Sequence, residues 1–578
     1  MENQKTILDR RIEVLIWILG IIFIALSARL WQISVLQGEI FKEKSEANRI
    51  RIIELRAPRG IIYDRNGEIL AEDVPQFQIV FRPGSLGLEE AVSKLEALFK
   101  GRIAINPKQR STNEWILCDN LSLEEVIRFE EARQELPGLS VETIPMRFYP
   151  HGEYVFHVVG YVGKVTLQEV EKGDYNIQDF SGKGGVELFY DKLLRGEKGF
   201  KKLEVDAKGR VLRVLENQPP HFRNSIALTL DLPFQKFCMN LLKDKKGVII
   251  AGNPRTGAIF SLASSPAFDP NQLSKGMSQE EWEALSRDQS FPLTNRATQA
   301  LYPPGSVFKL LVALAAAEEM PDLDEKTFFC PGYFEHNDWK YPCWKRGGHG
   351  RISFKEAIAQ SCNVVFYQLG LQLGVEKLEE YARLLGFGSP TGIDLPGEIG
   401  GFFPNPIWKR RQYGEPWYPG DTINLAIGQG YLMVTPLEIY RMICVLANRG
   451  VFCQPHLLDR VIDNQRGEIL AFEPFQQKVA SFKEETWRKV IDGMRLVVKQ
   501  GTGKACADLG IDLAAKTGTA QNPHGEDHSW FAGFFPADQP EFAFVVMIEH
   551  GGDGSGEAAG TARAMIEWWL KNRGKSHD

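Results

Sequence analysis

Three short patterns in this sequence carry side chains that could perform acyl transfer. The first is Ser306-Val307-Phe308-Lys309. Pro303-Pro304-Gly305 reads as a turn, and residues 307–318 (VFKLLVALAAAE) are strong helix formers. Ser306 therefore falls at a helix start, with Lys309 three residues on and on the same face. A serine hydroxyl becomes a nucleophile when a base takes its proton, and a lysine can be that base once burial or a neighbouring cation lowers its pKa. The helix start also offers backbone N–H groups to a developing oxyanion. A capping serine beside a solvated lysine would show the same residues, so the tetrapeptide is weak by itself, although it is the only Ser-x-x-Lys in the chain.

The second pattern is Ser361-Cys362-Asn363, between two helical runs at 354–360 and 364–369. Ser361 can relay a proton and the Asn363 amide can hydrogen-bond a substrate amide; alone the triplet carries almost no information. The third is Lys516-Thr517-Gly518-Thr519, after the apolar Leu513-Ala514-Ala515, which reads as a strand. Glycine there lets another backbone approach closely. Strand alternation puts Lys516 and Gly518 on one face and Thr517 and Thr519 on the other, so a twist or bulge is expected if all three polar side chains serve one ligand carboxylate. The bland alternative is an exposed edge-strand lysine.

Between the first two patterns lies Cys330-x12-Cys343-x5-His349-x12-Cys362. Three thiolates and one imidazole would complete a closed tetrahedral zinc set, but the spacing is not that of a standard finger. A disulfide with a spare thiol, or buried free cysteines, fit the residues as well. His336 is nearby and reads as exposed rather than as a ligand.

These groups need elements to hold them. A chain of 578 residues suggests two to four domains, and 43% hydrophobic with 25% charged residues is a globular composition that can fill large cores. A net charge of −6 gives no reason to expect nucleic acid as a partner. Residues 61–71 read as a hairpin around Asp64-Arg65-Asn66-Gly67. Residues 88–99 and 122–135 have helical spacing. Gly182-Lys183-Gly184-Gly185 is a loop before a helix at 186–194, with no phosphate-binding pattern around it. NQPPHFRN at 217–224 marks a boundary. Beyond it come strands at 226–230 and 247–251, a turn Asn253–Gly257, a last strand at 542–549 and a closing helix at 560–571.

Near the N-terminus, residues 14–28 contain no charge; Arg29 interrupts, and 30–36 are again mostly apolar. The segment 14–36 can span a bilayer if Arg29 snorkels to one interface, with Trp17 and Trp31 in the aromatic belts. Lys5, Arg10 and Arg11 precede it, which places the N-terminus in the cytoplasm. A cleaved signal peptide fits less well, since the run is long and no small-x-small site follows.

Taken together, Ser306-x-x-Lys309, Ser361-x-Asn363 55 residues later, and Lys516-Thr517-Gly518 form the motif trio of penicillin-recognising enzymes. The chain resembles the class B penicillin-binding proteins over nearly its whole length, nearest to their elongation-type group (penicillin-binding protein 2). Arg59–Gly67, Arg147-Phe148-Tyr149-Pro150 and Gly182–Glu187 look like that family's pedestal motifs. Gly420-Asp421-Thr422 and Ile427-Gly428-Gln429-Gly430 look like parts of its transpeptidase domain.

The resemblance implies an α/β (α+β) transpeptidase domain at 223–572, with a helical subdomain beside a mainly antiparallel sheet. It implies a β-rich pedestal at 37–222, a single transmembrane helix at 14–36, a cytoplasmic tail at 1–13 and a C-terminal tail at 573–578. Ser306 would acylate on D-Ala-D-Ala stem peptides and on β-lactams, with Lys309 as base, Ser361 as proton relay and Asn363 orienting substrate. Lys516, Thr517 and Thr519, with Gly518 between them, would hold the terminal carboxylate, and the N–H groups of Ser306 and Thr519 would form the oxyanion hole. An amine from a neighbouring stem would resolve the acyl-enzyme and crosslink peptidoglycan during elongation and shape maintenance. Relatives also place a structural Zn2+ at positions matching Cys330, Cys343, His349 and Cys362. The region ahead of the catalytic domain has no glycosyltransferase motif, so a separate polymerase of the multi-pass SEDS type is expected as partner. A D,D-carboxypeptidase or β-lactamase using the same serine, a β-lactam sensor and a catalytically dead scaffold are the competing readings.

Overall fold

The computed structural model describes residues 2–37, 39, 49–82, 86–101, 103, 105, 107–111, 114–173, 175–177, 179–205, 211–221, 224–523 and 525–572. The C-terminal tail at 573–578 lies outside the described residues. A helix runs from Glu2 to Trp31 and continues as one wider turn over Gln32–Leu36. It starts well before residue 14, so the residues assigned to a tail prolong the same helix. Its segment Val14–Leu36 is the one helix among the described residues long and apolar enough to cross a membrane, and none of it is buried in protein. Arg29 donates to Gln32 Oε1 at 2.8 Å within this segment.

The chain packs as two compact units, and they do not follow a simple cut at 222/223. The first unit holds Met1–Pro58, Val74–Met146 and Gly196–Phe222. It contains an antiparallel three-stranded sheet of Ile50–Leu55, Gly199–Val205 and Val211–Gln218. It also contains the hairpin strands Lys108–Ser111 and Glu114–Leu121, and the helices Leu88–Phe99 and Leu123–Glu131. Their apolar faces meet in a core of Ile79, Phe81, Leu95, Phe99 and Phe129. The second helix starts with a full capping box, Ser122 to Glu125, as its sequence requires.

The second unit holds Arg59–Asp73, Arg147–Arg195 and Arg223–Asp578. Two of these segments fall in the region expected as pedestal, and they meet the catalytic part through direct hydrogen bonds: Leu232 N–H donates to Asp64 at 3.1 Å, the Asn271 side chain bonds the Tyr149 backbone at 2.9 Å, and the Tyr190 hydroxyl donates to Asp394 at 2.8 Å. To each other they are tied by a buried ion network. Glu187, fully buried, accepts from Arg59 Nη2 at 2.8 Å and from Arg147 Nε at 2.5 Å. Arg59 also pairs with Asp191 at 2.9 Å, and Arg147 with Asp73 at 3.1 Å. Three motifs distant in sequence thus share one desolvated cluster in which every charge is paired. Ile62 and Tyr63 add a short parallel pairing to Ile226 and Ala227.

The main sheet of this unit has five antiparallel strands: β1 (Gly247–Gly252), β2 (Ile259–Ser265), β3 (Ala514–Ala520), β4 (His528–Phe535) and β5 (Phe542–Ile548), in the order β2-β1-β5-β4-β3. The helices of this unit that shape the site and its cores are α1 (Leu232–Leu241), α2 (Lys309–Glu319), α3 (Phe354–Ala359), α4 (Asn363–Leu384), α5 (Pro406–Tyr413), α6 (Pro419–Ala426), α7 (Pro436–Ala447), α8 (Glu484–Lys499) and α9 (Glu557–Asn572). Along β5, Phe542, Phe544, Val546 and Ile548 face one core with residues of α1 and α9. Ala543, Val545 and Met547 face the other, with residues of α2, α4 and α7. Cover on both faces explains why β5 is a continuous apolar run rather than an alternating one. Helix α2 is buried on all sides from Lys309 to Ala317, which fits its Ala/Leu composition and makes it the central helix of the helical subdomain. Residues 186–194 form two short helices, Gly185–Phe189 and Asp191–Leu194, instead of one.

Candidate active site

Ser306 sits in a single tight turn, Gly305–Val307, and the α-helix proper begins at Lys309. Gly305 has φ +53°, and a Cβ built there would lie 2.3 Å from the Thr519 carbonyl oxygen. Only glycine allows the turn to be pressed so closely on β3. On its other side, Gly305 N–H donates to the Gly428 carbonyl at 3.0 Å, which gives the Ile427–Gly430 stretch its role. The nucleophile candidate is thus clamped between strand and loop by backbone contacts. Its own hydroxyl makes no hydrogen bond among the described residues.

Lys309 is fully buried one turn later. Its Nζ donates to the Ser361 carbonyl at 2.9 Å, to Ser361 Oγ at 3.2 Å and to Asn363 Oδ1 at 2.6 Å. Burial lowers its pKa to about 8, against the pull of Cys362 and Cys343 nearby. A lysine in that range has an accessible neutral form at physiological pH and can serve as a base.

The position of Ser361 follows from how α3 ends. Ser361 N–H bonds to Ile358 O and Cys362 N–H to Ala357 O, the paired contacts of a Schellman ending. That motif demands a left-handed residue where glycine is usual; Ser361 occupies it at φ +50°. Cys362 then caps α4, and Asn363 is its first residue. Two donors secure the strained peptide: Lys309, and the Trp344 indole N–H, which reaches Ser361 O at 3.2 Å and Gln360 O at 3.0 Å.

Strand β3 pairs with β4 in unbroken register from Ala514↔Phe534 to Ala520↔His528, so the expected bulge is absent. Alternation holds instead. Thr517 and Thr519 line the cleft, and Lys516, on the face that Gly518 packs against the Ser306 turn, is fully buried with Nζ on the Thr517 carbonyl at 3.0 Å. Burial and the charge of Lys309 push its pKa well below the ordinary lysine value. At Gly518 an added Cβ would be 2.7 Å from Val307 Cγ2 and 3.2 Å from the Pro304 carbonyl, so here too glycine permits the approach of the Ser306 turn.

The cleft that results has a volume of about 290 Å³ and collects Ser306, Ser361, Asn363, Thr517 and Thr519 on its walls. Ile427 and Gln429 of the Ile427–Gly430 stretch also line it, and residues without a signal in the motifs complete it: Trp344, Thr502, Gln521, Asp527, Asp553 and Ser555. Thr502 Oγ1 is 2.5 Å from Thr517 Oγ1. Its setting, Gly501-Thr502-Gly503 directly after α8, is a polar residue in a glycine turn and was the available signal. Trp344 had none beyond its place beside Cys343.

The four metal-ligand candidates also converge. The Sγ atoms of Cys330, Cys343 and Cys362 and a ring nitrogen of His349 all lie within 4.8 Å of one another. None of the eight cysteines is in a disulfide. His349 Nδ1 is 3.6 Å from the sulfurs of both Cys330 and Cys343. A tetrahedral zinc with ordinary Zn–S and Zn–N bonds has S···N edges of about 3.6 Å, so the residues fit the ion. The Cys362 thiol and the His349 ring hydrogen-bond to Cys343 and hold its pKa well below an ordinary thiol's; Cys362 is pushed up in return. His336 lies outside the cluster, stacked on Phe334 at 6.2 Å.

Comparison with known proteins agrees with this geometry. Residues 247–567 match the penicillin binding protein transpeptidase domain and residues 54–228 the penicillin-binding protein dimerisation domain. A peptidoglycan D,D-transpeptidase MrdA of Acinetobacter baumannii is 33% identical over 100% of this chain and 90% of its own. The Helicobacter pylori penicillin-binding protein PBP2, solved in complex with MreC, is similar with a TM-score of 0.80 and 30% identity, covering 90% of this chain and 99% of that one. A chain from a peptidoglycan synthase complex that coordinates polymerization and crosslinking is similar with a TM-score of 0.75 and 31% identity, covering 97% and 98%.

Proposed function

The chain belongs to the penicillin-binding protein family, with both its transpeptidase and its dimerisation domains, and from that premise we propose how its own residues divide the reaction. It is a serine-type peptidoglycan D,D-transpeptidase. In this reading Ser306 Oγ attacks the carbonyl of the terminal D-Ala-D-Ala bond of a stem peptide. Lys309 takes the hydroxyl proton. Ser361 passes a proton to the departing nitrogen, the C–N bond breaks, and D-Ala leaves an ester on Ser306. An amine from a second stem then attacks that ester, loses its proton through the same relay and frees the serine. Asn363 orients the donor amide. Thr517 and Thr519 bind the terminal carboxylate with Lys516 adjoining them on the same strand, and the N–H groups of Ser306 and Thr519 receive the oxyanion. The N–H of Ser306 is in the first turn of its helix, where no intrahelical acceptor exists. The observation that carries the reading is the contact of Lys309 with both polar residues of the second motif, one helical turn from Ser306. Labelling with a fluorescent penicillin tests it: wild type is labelled and Ser306→Ala is not. A label that survives the substitution refutes the assignment.

Cys330, Cys343, His349 and Cys362 are read as the ligands of one structural Zn2+. The bound ion would offset the thiolate charge and tie the segment together, with no open position for a reacting water. Because Cys362 separates Ser361 from Asn363, its Sγ fixes the loop that meets Lys309.

The apolar N-terminal helix is read as a single-pass anchor in the cell (inner) membrane. Lys5, Arg10 and Arg11 support a cytoplasmic N-terminus and an extracytoplasmic catalytic unit. Likeness to a chain of a synthase complex that coordinates polymerization and crosslinking supports a polymerising membrane partner, for which a SEDS-type glycosyltransferase is our candidate, and a role in elongation and cell shape. Peptidoglycan crosslinked normally when that partner is depleted and preformed glycan is supplied would argue against the pairing.

A further inference from the structure

A second cavity, of about 780 Å³, opens between α4, α5 and α6. Its place relative to the catalytic cleft is set by two helices. Helix α4 starts at Asn363 on the cleft and reaches this cavity at Leu371; α6 starts in the cavity at Pro419, and Ile427 just past its end lines the cleft. Along α4, eight residues separate Asn363 in the cleft from Leu371 in the cavity, which at 1.5 Å per residue is about 12 Å. An extended peptide covers that distance in three to four residues.

The lining has a definite chemistry. Arg410 and Arg411 are exposed on α5, and neither has an ion-pair or hydrogen-bond partner among the described residues. Their neighbour Lys409, by contrast, is buried and paired with Asp421 at 2.6 Å. Trp417 commits its indole N–H to Thr422 Oγ1 at 2.8 Å and so offers the cavity an apolar ring. Tyr418 beside it is 49% exposed. One carboxylate, Glu376, also lines the cavity, and the two arginines outnumber it.

We propose that this cavity is a second substrate subsite, which takes the acidic, sugar-linked end of a stem peptide whose other end reaches the catalytic cleft. Arg410 and Arg411 take a carboxylate in fork geometry. Trp417 and Tyr418 give flat apolar faces against which a sugar ring or its acetyl group packs. The inference rests on the transpeptidase reading and assigns it a recognition site for the glycan-proximal part of the substrate, about 12 Å from the reacting carbonyl.

The test uses the full-length protein and the double variant Arg410→Glu/Arg411→Glu, with three probes: fluorescent penicillin, a short peptide ending in D-Ala-D-Ala, and uncrosslinked glycan bearing stem pentapeptides. The expected result is an unchanged rate with penicillin and the short peptide, and a KM for the glycan-linked stem raised at least tenfold. Arg410→Lys/Arg411→Lys, which keeps the charge and loses the fork, should fall between. Equal effects on all three probes, or no effect on the glycan substrate, overturn the proposal. Failure of the transpeptidase reading shows separately, as penicillin labelling of wild type that does not depend on Ser306.

Discussion

Lys309 and Ser361 meet through two atoms: the lysine nitrogen is 2.9 Å from the serine carbonyl oxygen and 3.2 Å from its hydroxyl. With Asn363 Oδ1 at 2.6 Å, three acceptors surround an ammonium that has three protons. Once one proton is lost, two donations still anchor the amine and its lone pair is free to accept from a serine hydroxyl. The same contacts therefore hold the base in place in both protonation states.

This predicts a pH signature. Burial holds Lys309 at about 8, so acylation of Ser306 should rise as pH increases through that value and then level off. Lys309→Met keeps the length and loses the base, and its rate should be lower by about 10²–10⁴ and flat across the same range. Stability has a definite sign too. The folded pKa lies below the unfolded one, so the folded state gives up its proton first. Wild type should gain stability relative to Lys309→Met as pH rises from about 8 toward about 10.4, and carry the full penalty of the buried charge below 8. Stopped-flow penicillin acylation and denaturant titrations at matched pH measure both. A wild-type rate that falls across pH 8 would contradict the assignment.

Ser361 offers a test in which backbone and side chain pull apart. Its left-handed conformation strains any residue with a Cβ, and glycine would relieve that strain, while its hydroxyl belongs to the proposed relay. Ser361→Gly should be more stable than Ser361→Ala by about 1 kcal/mol. Both should be acylated far more slowly than wild type. Urea midpoints together with penicillin labelling rates distinguish the two effects; equal stabilities would mean that the Schellman turn is not strained.

The legible part of this site was the set of residues whose chemistry is unusual. Ser306, Lys309, Ser361, Asn363, Thr517 and Thr519 were marked by type and spacing, and the structure gathers all six around one cleft or its base. The apolar N-terminal helix and the strand at β5 were readable because an apolar composition allows few structures. Three things were not. The bulge expected at Lys516 followed from assuming that all three polar groups share one face, whereas in the regular strand the Lys516 and Gly518 face packs toward the Ser306 turn while Thr517 and Thr519 line the cleft. Trp344 is an ordinary residue whose importance comes only from the backbone carbonyls that turn toward it, and Thr502 had no signal beyond its glycine turn. The packing of residues 59–73 and 147–195 on the catalytic part depends on long-range contacts such as Leu232 N–H to Asp64 and Tyr190 to Asp394, which leave no local periodicity to read.

Removal of metal should act on catalysis as well as on the fold. Cys362 lies between the two polar residues that contact Lys309, so releasing its Sγ loosens the turn they occupy. Treatment with a strong chelator, or Cys343→Ser, is expected to lower the melting midpoint by several degrees and slow penicillin acylation in parallel, and elemental analysis should find one zinc per wild-type chain. Unchanged melting and acylation after full chelation would remove the metal from the account.

The last expectation concerns Gly305, where the nucleophile turn touches β3. A methyl group at this residue would sit 2.3 Å from the Thr519 carbonyl oxygen, at φ +53°. The obstructing atom is backbone within an unbroken strand, so no rotamer change can yield, and the turn must lift away from β3. The shift needed for a normal contact is about 1 Å, and a misplacement of that size can cost about 10²-fold in rate. It separates Ser306 from Thr519, the two residues whose N–H groups are proposed to receive the oxyanion. Gly305→Ala should therefore be acylated about 100-fold more slowly while its zinc content stays at the wild-type level, because the four ligand residues lie on other segments. Acylation kinetics and metal analysis on one preparation decide this: normal kinetics would mean that the contact between Gly305 and Thr519 does not set the geometry of attack.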